Sequence, residues 1–381
     1  MILFLRLTLF PFLLTSIHLL AQEKAMLDQW YTVDASTVSD LPKIGLAGQS
    51  ALIRGDRLLV LGGSNFPDAM PWLGGKKKYY DQLWIYDIIA TPQLKSLPSA
   101  VKYPVPIAYA SAIAYHDQWI IMGGETPEGK MAEVKTINIS GTENTEWRSL
   151  PSLPIPLANA SAFVVDNIMH VAGGETGSVT SASHFTLDLN YPSKGWQSLQ
   201  ELPYPVSHAV LLKDEKNNRF LLLGGRVKLE DKPSIFYSSS LAFDLKTRKW
   251  KKAEPLPYPL AAGTGVVASN NQLLIFGGDK GDVFNQVETC ILEAAKSTDP
   301  EKSKAWDDKR KALQSSHPGF SREVLQWNDR GRKWIVIGDL SFPTPVTTQA
   351  VSNQKYIVIP GGETKAGVRT ANLYIKKLEL K

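Results

Sequence analysis

The sequence predicts an all-β fold, a six-bladed β-propeller, and three observations carry that reading. Six short apolar runs end in Gly-Gly: "LLVLGG", "WIIMGG", "MHVAGG", "RFLLLGG", "LLIFGG" and "IVIPGG". Their first glycines, Gly62, Gly123, Gly173, Gly224, Gly277 and Gly361, lie 61, 50, 51, 53 and 84 residues apart. Each run has the same sequel. A second apolar run such as "QLWIYD" or "SSLAFD" comes first, and then a tryptophan strand leading into a Leu-Pro or similar loop, as in "EWRSLPSLPIP", "GWQSLQELPYP", "KWKKAEPLPYP" and "KWIVIGDLSFP".

Four strands in a unit of roughly fifty residues describe a propeller blade of kelch type. One such sheet cannot bury both of its faces, so blades stack around an axis. The glycines suit places where backbone crowds backbone or needs a positive φ. The tryptophans fill the wedge between blades at larger radius. The N-terminal "DQWYTVDASTVSDLP" has the grammar of a fourth strand, with Trp30 and Leu41-Pro42, but lacks the three strands before it. The last unit has "ANLYIKKLEL" but no tryptophan strand. The N-terminal strand is therefore expected to complete the last blade and close the ring, which leaves no open sheet edge.

The long fifth interval holds an insertion. Residues 288–320, "ETCILEAAKSTDPEKSKAWDDKRKALQSSHPGF", lose β character and read as helical with a break near Pro300. An insertion of this size suits a lid or a partner surface, or it is a decorative excursion.

Composition narrows the function classes. Of 381 residues 43% are hydrophobic, ample for a packed core, and the net charge is a mild +5. The basic residues are dispersed, unlike the stripe of a nucleic-acid binder. The one tight cluster, Lys76-Lys77-Lys78, reads as a solvated loop. Residues 1–21 form a long apolar stretch with Arg6 as its only charge and Ala21 at a plausible cleavage point. They read as a secretory signal peptide, or else an uncleaved anchor, so a periplasmic protein is expected with residues 22–381 as the propeller. No later run is long enough to span a membrane. Cys290, the single cysteine, permits no intramolecular disulfide and reads as a buried small hydrophobe. The histidines after the leader, at 116, 170, 184, 208 and 317, show no metal-ligand spacing. No cofactor is expected, because neither phosphate-loop motif appears, and no nucleophile elbow is present.

Topology indicates which face holds the chemistry. The Gly-Gly pair ends the second strand, so the residues after it share one rim with the loops between blades. This rim collects Ser64, Asn65, Phe66, Glu125, Glu175, Arg226, Asp279, Lys280, Glu363 and Arg369. The interblade loops add His208, Thr264, Thr347, Thr348 and Gln349, and the insertion leaves from the same face. Only the last Gly-Gly-Glu places an arginine six residues beyond its glutamate, Glu363 and Arg369. Such a couple is either a surface ion pair or a functional one. Glu125 and Glu175 read as structural, accepting from backbone N–H groups. His208 is a candidate base or a plain hydrogen-bonding residue.

Three stretches resemble the bacterial N-acetylneuraminate mutarotases, also called epimerases: "GGETKAGVRT" (361–370), "GGSNFPDAMPWLGGKKKYYDQLWIYD" (62–87) and the insertion ending "HPGFSREVLQWN". These are exported six-bladed kelch propellers. The blade order here resembles their cyclically permuted branch, with the insertion blade and the Glu–Arg blade coming last. The resemblance covers essentially the whole mature chain. It implies an isomerase that interconverts the α and β anomers of sialic acid, with Glu363 as the catalytic glutamate and Arg369 as its arginine. Arg226, Asn65 and His208 are expected to bind the sugar acid. The alternative is a non-catalytic kelch propeller that binds a protein or a glycan. A copper radical oxidase would need a Tyr–Cys crosslink and clustered histidines, and a sialidase would need several arginines and Asp-box turns. None of these is found.

Overall fold

The computed structural model describes residues 26–90, 93–140, 146–268 and 271–379, so segment 1–21, expected to be a signal peptide, lies outside the described residues. Six four-stranded antiparallel sheets stand around one axis. The second strand of each blade explains the recurrent apolar runs. In Arg57–Leu61, Gln118–Met122, Ile168–Ala172, Arg219–Leu223 and Gln272–Phe276 the first residue is half-buried and the next four are buried. A strand pressed between neighbouring blades is apolar on both faces, so it reads as a continuous run and not as an alternation. The outer strands face solvent and carry the charged residues, as in Lys249–Ala253.

The ring closes as the sequence predicts. Trp30–Asp34 is the outer strand of the sixth blade, beside Val368–Lys377, with Trp30 opposite Lys376 and Asp34 opposite Asn372. The seam is apolar: Ile53, Leu58 and Val60 of blade one pack with Val358, Leu373 and Ile375 of blade six. Full burial of each such side chain is worth about 1.5–3 kcal/mol, so closure is part of the core.

The glycine pair has a specific task. The second glycine donates its N–H to a carbonyl in the loop leading to the next blade: Gly63 to Ile107, Gly124 to Leu157, Gly174 to Val206 and Gly225 to Leu260, at 2.7–2.8 Å. The first glycine lies under that same carbonyl. A Cβ on Gly123 would sit 2.1 Å from the Leu157 oxygen, which no side chain tolerates. The motif is thus a staple between blades.

A second device lies on the axis. Gly48, Tyr109, Asn159, His208, Ala262 and Thr347 occupy equivalent interblade positions, all with φ between +51° and +73°. Each N–H donates to the carbonyl of the member before it, and Gly48 donates to Thr347, which closes the circle at 2.6–3.3 Å. Five non-glycine residues are held in a conformation costing about 1–2 kcal/mol each, and six hydrogen bonds hold them there.

The insertion comprises α1 (Asp282–Lys296) and α2 (Pro300–Ser315). Asp299 caps α2, accepting from the N–H groups of Glu301 and Lys302, and Pro300 takes the first helical position. The helical segment begins at Asp282, ahead of the expected start at 288. Residues 282–287, "DVFNQV", are rich in strand formers, and tertiary packing overrides that tendency. Phe284 meets Phe236 edge-on with centroids 5.4 Å apart. Cys290 is buried in α1, as a small hydrophobe would be. No helix among the described residues is long and apolar enough to cross a membrane.

Candidate active site

The residue after each Gly-Gly pair is fixed by two backbone hydrogen bonds to the interblade loop. Ser64 exchanges them with Ala47, Glu125 with Ala108, Glu175 with Ala158, Arg226 with Ser207, Asp279 with Ala261 and Glu363 with Val346, at 2.7–3.0 Å. Six side chains are thereby set out around the axis, just above the closed backbone ring. All but Ser64 line one cavity of about 390 Å³. Tyr109, Asn159, His208, Ala262 and Thr347 form its floor. Val283, Phe284 and Val287 of α1, with His317 and Phe320 beyond α2, form its cover. The helical insertion and the Gly-Gly-Glu loops therefore share one site.

Glu363 and Arg369 sit opposite each other in the sixth-blade hairpin, which runs on past its glycines as Tyr356–Lys365 and Val368–Lys377. Arg369 Nη2 lies 3.3 Å from Glu363 Oε2, and the Arg369 side chain is only 5% exposed. Glu363 Oε1 accepts the Gly367 N–H at 2.6 Å. Gly367 has φ +73° and packs against Trp72 and Pro71 of the first-blade loop, so the turn that aims the carboxylate is pinned from outside. The guanidinium stacks on Phe66, 4.6 Å from the ring centroid. Its Nε and Nη1 are buried without a hydrogen-bond partner among the described residues. Unmatched charged donors of this kind cost about 1–3 kcal/mol each or more.

The other cavity carboxylates are matched differently. Arg226 Nη2 lies 3.2 Å from Glu175 Oε1, which also accepts the Ser207 hydroxyl at 3.1 Å. Burial works against the Glu175 carboxylate, but the neighbouring His208, Arg226 and Lys130 outweigh it and keep the carboxyl below its usual range. His208 Nδ1 contacts Ser207 Oγ at 3.0 Å. Burial, reinforced by the Arg226 charge, pushes His208 down to about 4, so its imidazole is neutral near pH 7 and acts as a hydrogen-bonding group. Glu125 accepts from Lys77 Nζ at 2.9 Å and from the Tyr79 hydroxyl. Burial opposes the Glu125 charge as well, and these two bonds overcome it.

Of the sequence candidates, Glu363, Arg369, Arg226 and His208 meet in this cavity. Asn65 does not line it. It is fully buried, donates to the Gly45 carbonyl at 3.0 Å and accepts from the Tyr80 hydroxyl at 3.2 Å, so it braces a loop. Two other expectations are corrected. Lys77 of the lysine cluster is no solvated loop residue: it lines the cavity and bonds Glu125, while Lys76 and Lys78 are exposed. Glu125 and Glu175 accept from side chains, where backbone N–H groups were expected. Thr264, Thr348 and Gln349 line the axial channel beneath the ring. Sequence reasoning missed the aromatic wall of Tyr109, Phe236, Phe284 and Phe320. The periodicity of Tyr109 and Asn159 with His208 could have revealed the floor. Nothing local marks the phenylalanines. Among the described residues no group of three or more His, Cys, Asp or Glu side chains is arranged to hold a metal ion.

Comparison with known proteins agrees with the propeller fold. A solved propeller titled "Structure of YjhT" superposes with a TM-score of 0.61 at 16% identity, covering 90% of this chain and all of that one, which is a likeness of fold. The N-acetylneuraminate epimerases of Vibrio vulnificus and Brucella melitensis are 26% and 24% identical over 194 and 197 residues, about half of each chain. That of Vibrio cholerae is 25% identical over 194 residues. The chain thus spans about half the length of the curated relatives it matches. Residues 150–381, which include the insertion, Glu363 and Arg369, match the family model described as N-acetylneuraminate epimerase, and the chain belongs to that family.

Proposed function

We propose that this protein is a mutarotase that interconverts the α and β anomers of N-acetylneuraminic acid, acting in the periplasm once its leader is removed. The observation that carries the reading is the Glu363–Arg369 pair. It is held in a covered, aromatic-walled cavity, with two guanidinium donors unmatched among the described residues.

The chemistry follows from the substrate. Sialic acid is a 2-keto acid closed into a ring, and exchange of anomers requires that ring to open. A base removes the proton of the C2 hydroxyl, the C2–ring oxygen bond breaks, and the ring oxygen is protonated. The keto form then rotates and recloses on its other face. Glu363, fixed by the Gly367 N–H and Arg369, is the base and returns the proton on closure. Positioned proton transfer of this kind contributes about 10²–10⁴-fold. Arg369, which lines the cavity, holds the C1 carboxylate by a charge-assisted planar contact that lysine cannot copy. Arg226, pinned by Glu175, adds positive potential, and His208 adds a neutral hydrogen-bonding edge. The aromatic wall excludes water from the open keto form and offers apolar contact to the carbon skeleton.

The test is proton NMR of freshly released α-sialic acid with and without purified protein. Faster approach to the anomeric equilibrium supports the reading. Binding with no acceleration leaves a non-catalytic glycan-binding propeller.

A further inference from the structure

Ring opening needs a proton donor at the ring oxygen as well as a base at the hydroxyl. Glu363 and Arg369 supply only the base and an anion contact. The residue after the Gly-Gly pair of blade five, beside Glu363 in the circle, is Asp279, and it lines the same cavity. Its backbone is fixed by two 2.9 Å bonds to Ala261, and Oδ1 accepts the Gly281 N–H at 2.8 Å. It differs from the other cavity carboxylates in one respect. Glu125 is paired with Lys77, Glu175 with Arg226 and Glu363 with Arg369, whereas Asp279 makes no ion pair among the described residues. The charged groups that face it are Arg226 of blade four, Glu363 of blade six and Asp282 of α1.

We propose that Asp279 is the proton donor to the ring oxygen, so that the reaction runs on two carboxyl groups from adjacent blades. The proposal rests on the mutarotase reading and deepens it. Burial holds the Asp279 carboxyl above its usual range. The Gly281 N–H and Arg226 pull it down, and the negative charges of Glu363 and Asp282 push it up. A buried carboxyl that holds its proton more readily than an ordinary aspartate is suited to donate it.

The proton balance closes. As the ring opens, Glu363 takes the C2 hydroxyl proton, the C2–oxygen bond pair goes to the ring oxygen, and Asp279 protonates that oxygen. The enzyme then holds a neutral Glu363 and an ionised Asp279. After rotation, Asp279 takes the proton from the chain hydroxyl as it attacks C2, and Glu363 protonates the carbonyl oxygen. Both groups return to their starting states.

Two measurements on the full chain test this. The first is a carbon-13 NMR titration of the Asp279 carboxyl in wild-type protein and in Glu363→Gln. It is expected to titrate above an ordinary aspartate and to move down in the variant; titration at the ordinary value overturns the proposal. The second is anomer exchange by wild type and Asp279→Asn, an isostere that keeps the Gly281 contact. The expected result is a fall in kcat of about 10²-fold with KM little changed. A base gives a rate that rises with pH and an acid one that falls, so the variant should also lose the alkaline limb of the profile. Asp279→Asn with a wild-type kcat and an intact alkaline limb overturns the proposal and leaves the mutarotase standing. Wild-type protein that accelerates no exchange takes down the mutarotase reading, and the proposal with it.

Discussion

Blades two and six begin from nearly the same text. Each carries Gly-Gly-Glu, a short turn with a glycine, and a cation returning on the other side of the hairpin: Glu125 opposite Lys130 and Glu363 opposite Arg369. Their side chains nevertheless end in different company. Lys130 leaves its hairpin partner and donates to the Gly177 carbonyl of blade three at 2.6 Å. Glu125 is taken over by Lys77 and Tyr79 from blade one. In blade six the couple stays together, 3.3 Å apart, and two guanidinium donors stay unmatched among the described residues. The first arrangement ties blades to each other. The second keeps both members within one hairpin, on the wall of the cavity. A glutamate after Gly-Gly is thus a position supplied by the fold, and its neighbours decide whether it ties blades together or keeps its own hairpin partner.

The sharpest way to break this contrast is to neutralise each glutamate in turn. Glu363→Gln keeps shape but removes the proposed base, and anomer exchange should fall by about 10²–10⁴-fold. Glu125→Gln should change kcat by less than about tenfold, because its charge answers to Lys77 and Tyr79. Equal losses in the two variants, measured by NMR exchange rates, would remove the distinction between bracing and reacting glutamates.

The cations come next in size. Arg369→Lys keeps the charge but loses the planar fork and the stacking on Phe66. KM should rise about tenfold or more, with a smaller fall in kcat. Lys130→Arg should leave both within about twofold, since its partners, the Gly177 carbonyl and Glu175, lie outside the Glu363–Arg369 pair. A similar rise in KM for both variants would mean that the cavity senses net charge and not geometry.

The same contrast shows what the sequence could disclose. The six Gly-Gly runs, the tryptophan strands and the split last blade were legible because backbone packing repeats, and whatever repeats in space repeats in text. Glu363 with Arg369 was legible because it departs from that repeat. Lys77 was misread because its partner lies 48 residues away on another blade, and a lysine triplet shows only its charge. Asn65 was placed on the correct rim, but a rim position does not reveal which way a side chain turns; here the Gly45 carbonyl claims it. The start of α1 was hidden by its β-prone residues, which turn helical to cover a cavity built from other blades.

Turn glycines give a third and smaller test. A Cβ on Gly367 would fall 2.8 Å from the buried Trp72 ring at φ +73°, whereas Gly177, in the equivalent blade-three hairpin, has open space at φ +52°. Gly367→Ala should cost about 1–3 kcal/mol and lower kcat by displacing the Glu363 carboxylate. Gly177→Ala should cost about 1 kcal/mol and leave exchange unchanged. Thermal melts together with exchange rates check both. Equal activity in the two variants would show that the turn does not aim Glu363.

The smallest contrast sets blade three against the rest. Three residues before each Gly-Gly pair the blades carry Leu59, Ile120, His170, Leu221, Leu274 and Val358. His170 stacks on Phe163 and contacts His184, Nδ1 to Nε2 at 2.9 Å. Trp250 Nε1 donates to His184 Nδ1 at 3.1 Å, so His184 carries its proton on Nε2 and donates to His170. His170 then carries its own proton on Nε2, which has no partner among the described residues. Both rings are neutral in the folded protein. Burial, with His184 and Arg248 adding to it, pushes His170 down to about 3, and burial pushes His184 down to about 4. Unfolded, each titrates near 6.5. Between those values the unfolded chain binds the extra protons, so stability is fully present above about pH 6.5 and declines as pH falls toward 4. Each histidine contributes a slope of up to about 1.4 kcal/mol per pH unit. His170→Leu restores the residue type of the other blades and should make the stability–pH line shallower by about one such slope between pH 6 and 4. Urea unfolding at several pH values measures it. Parallel lines for wild type and variant would mean that His170 is already charged in the folded blade, and the proton order assigned to the Trp250–His184–His170 chain would then be wrong.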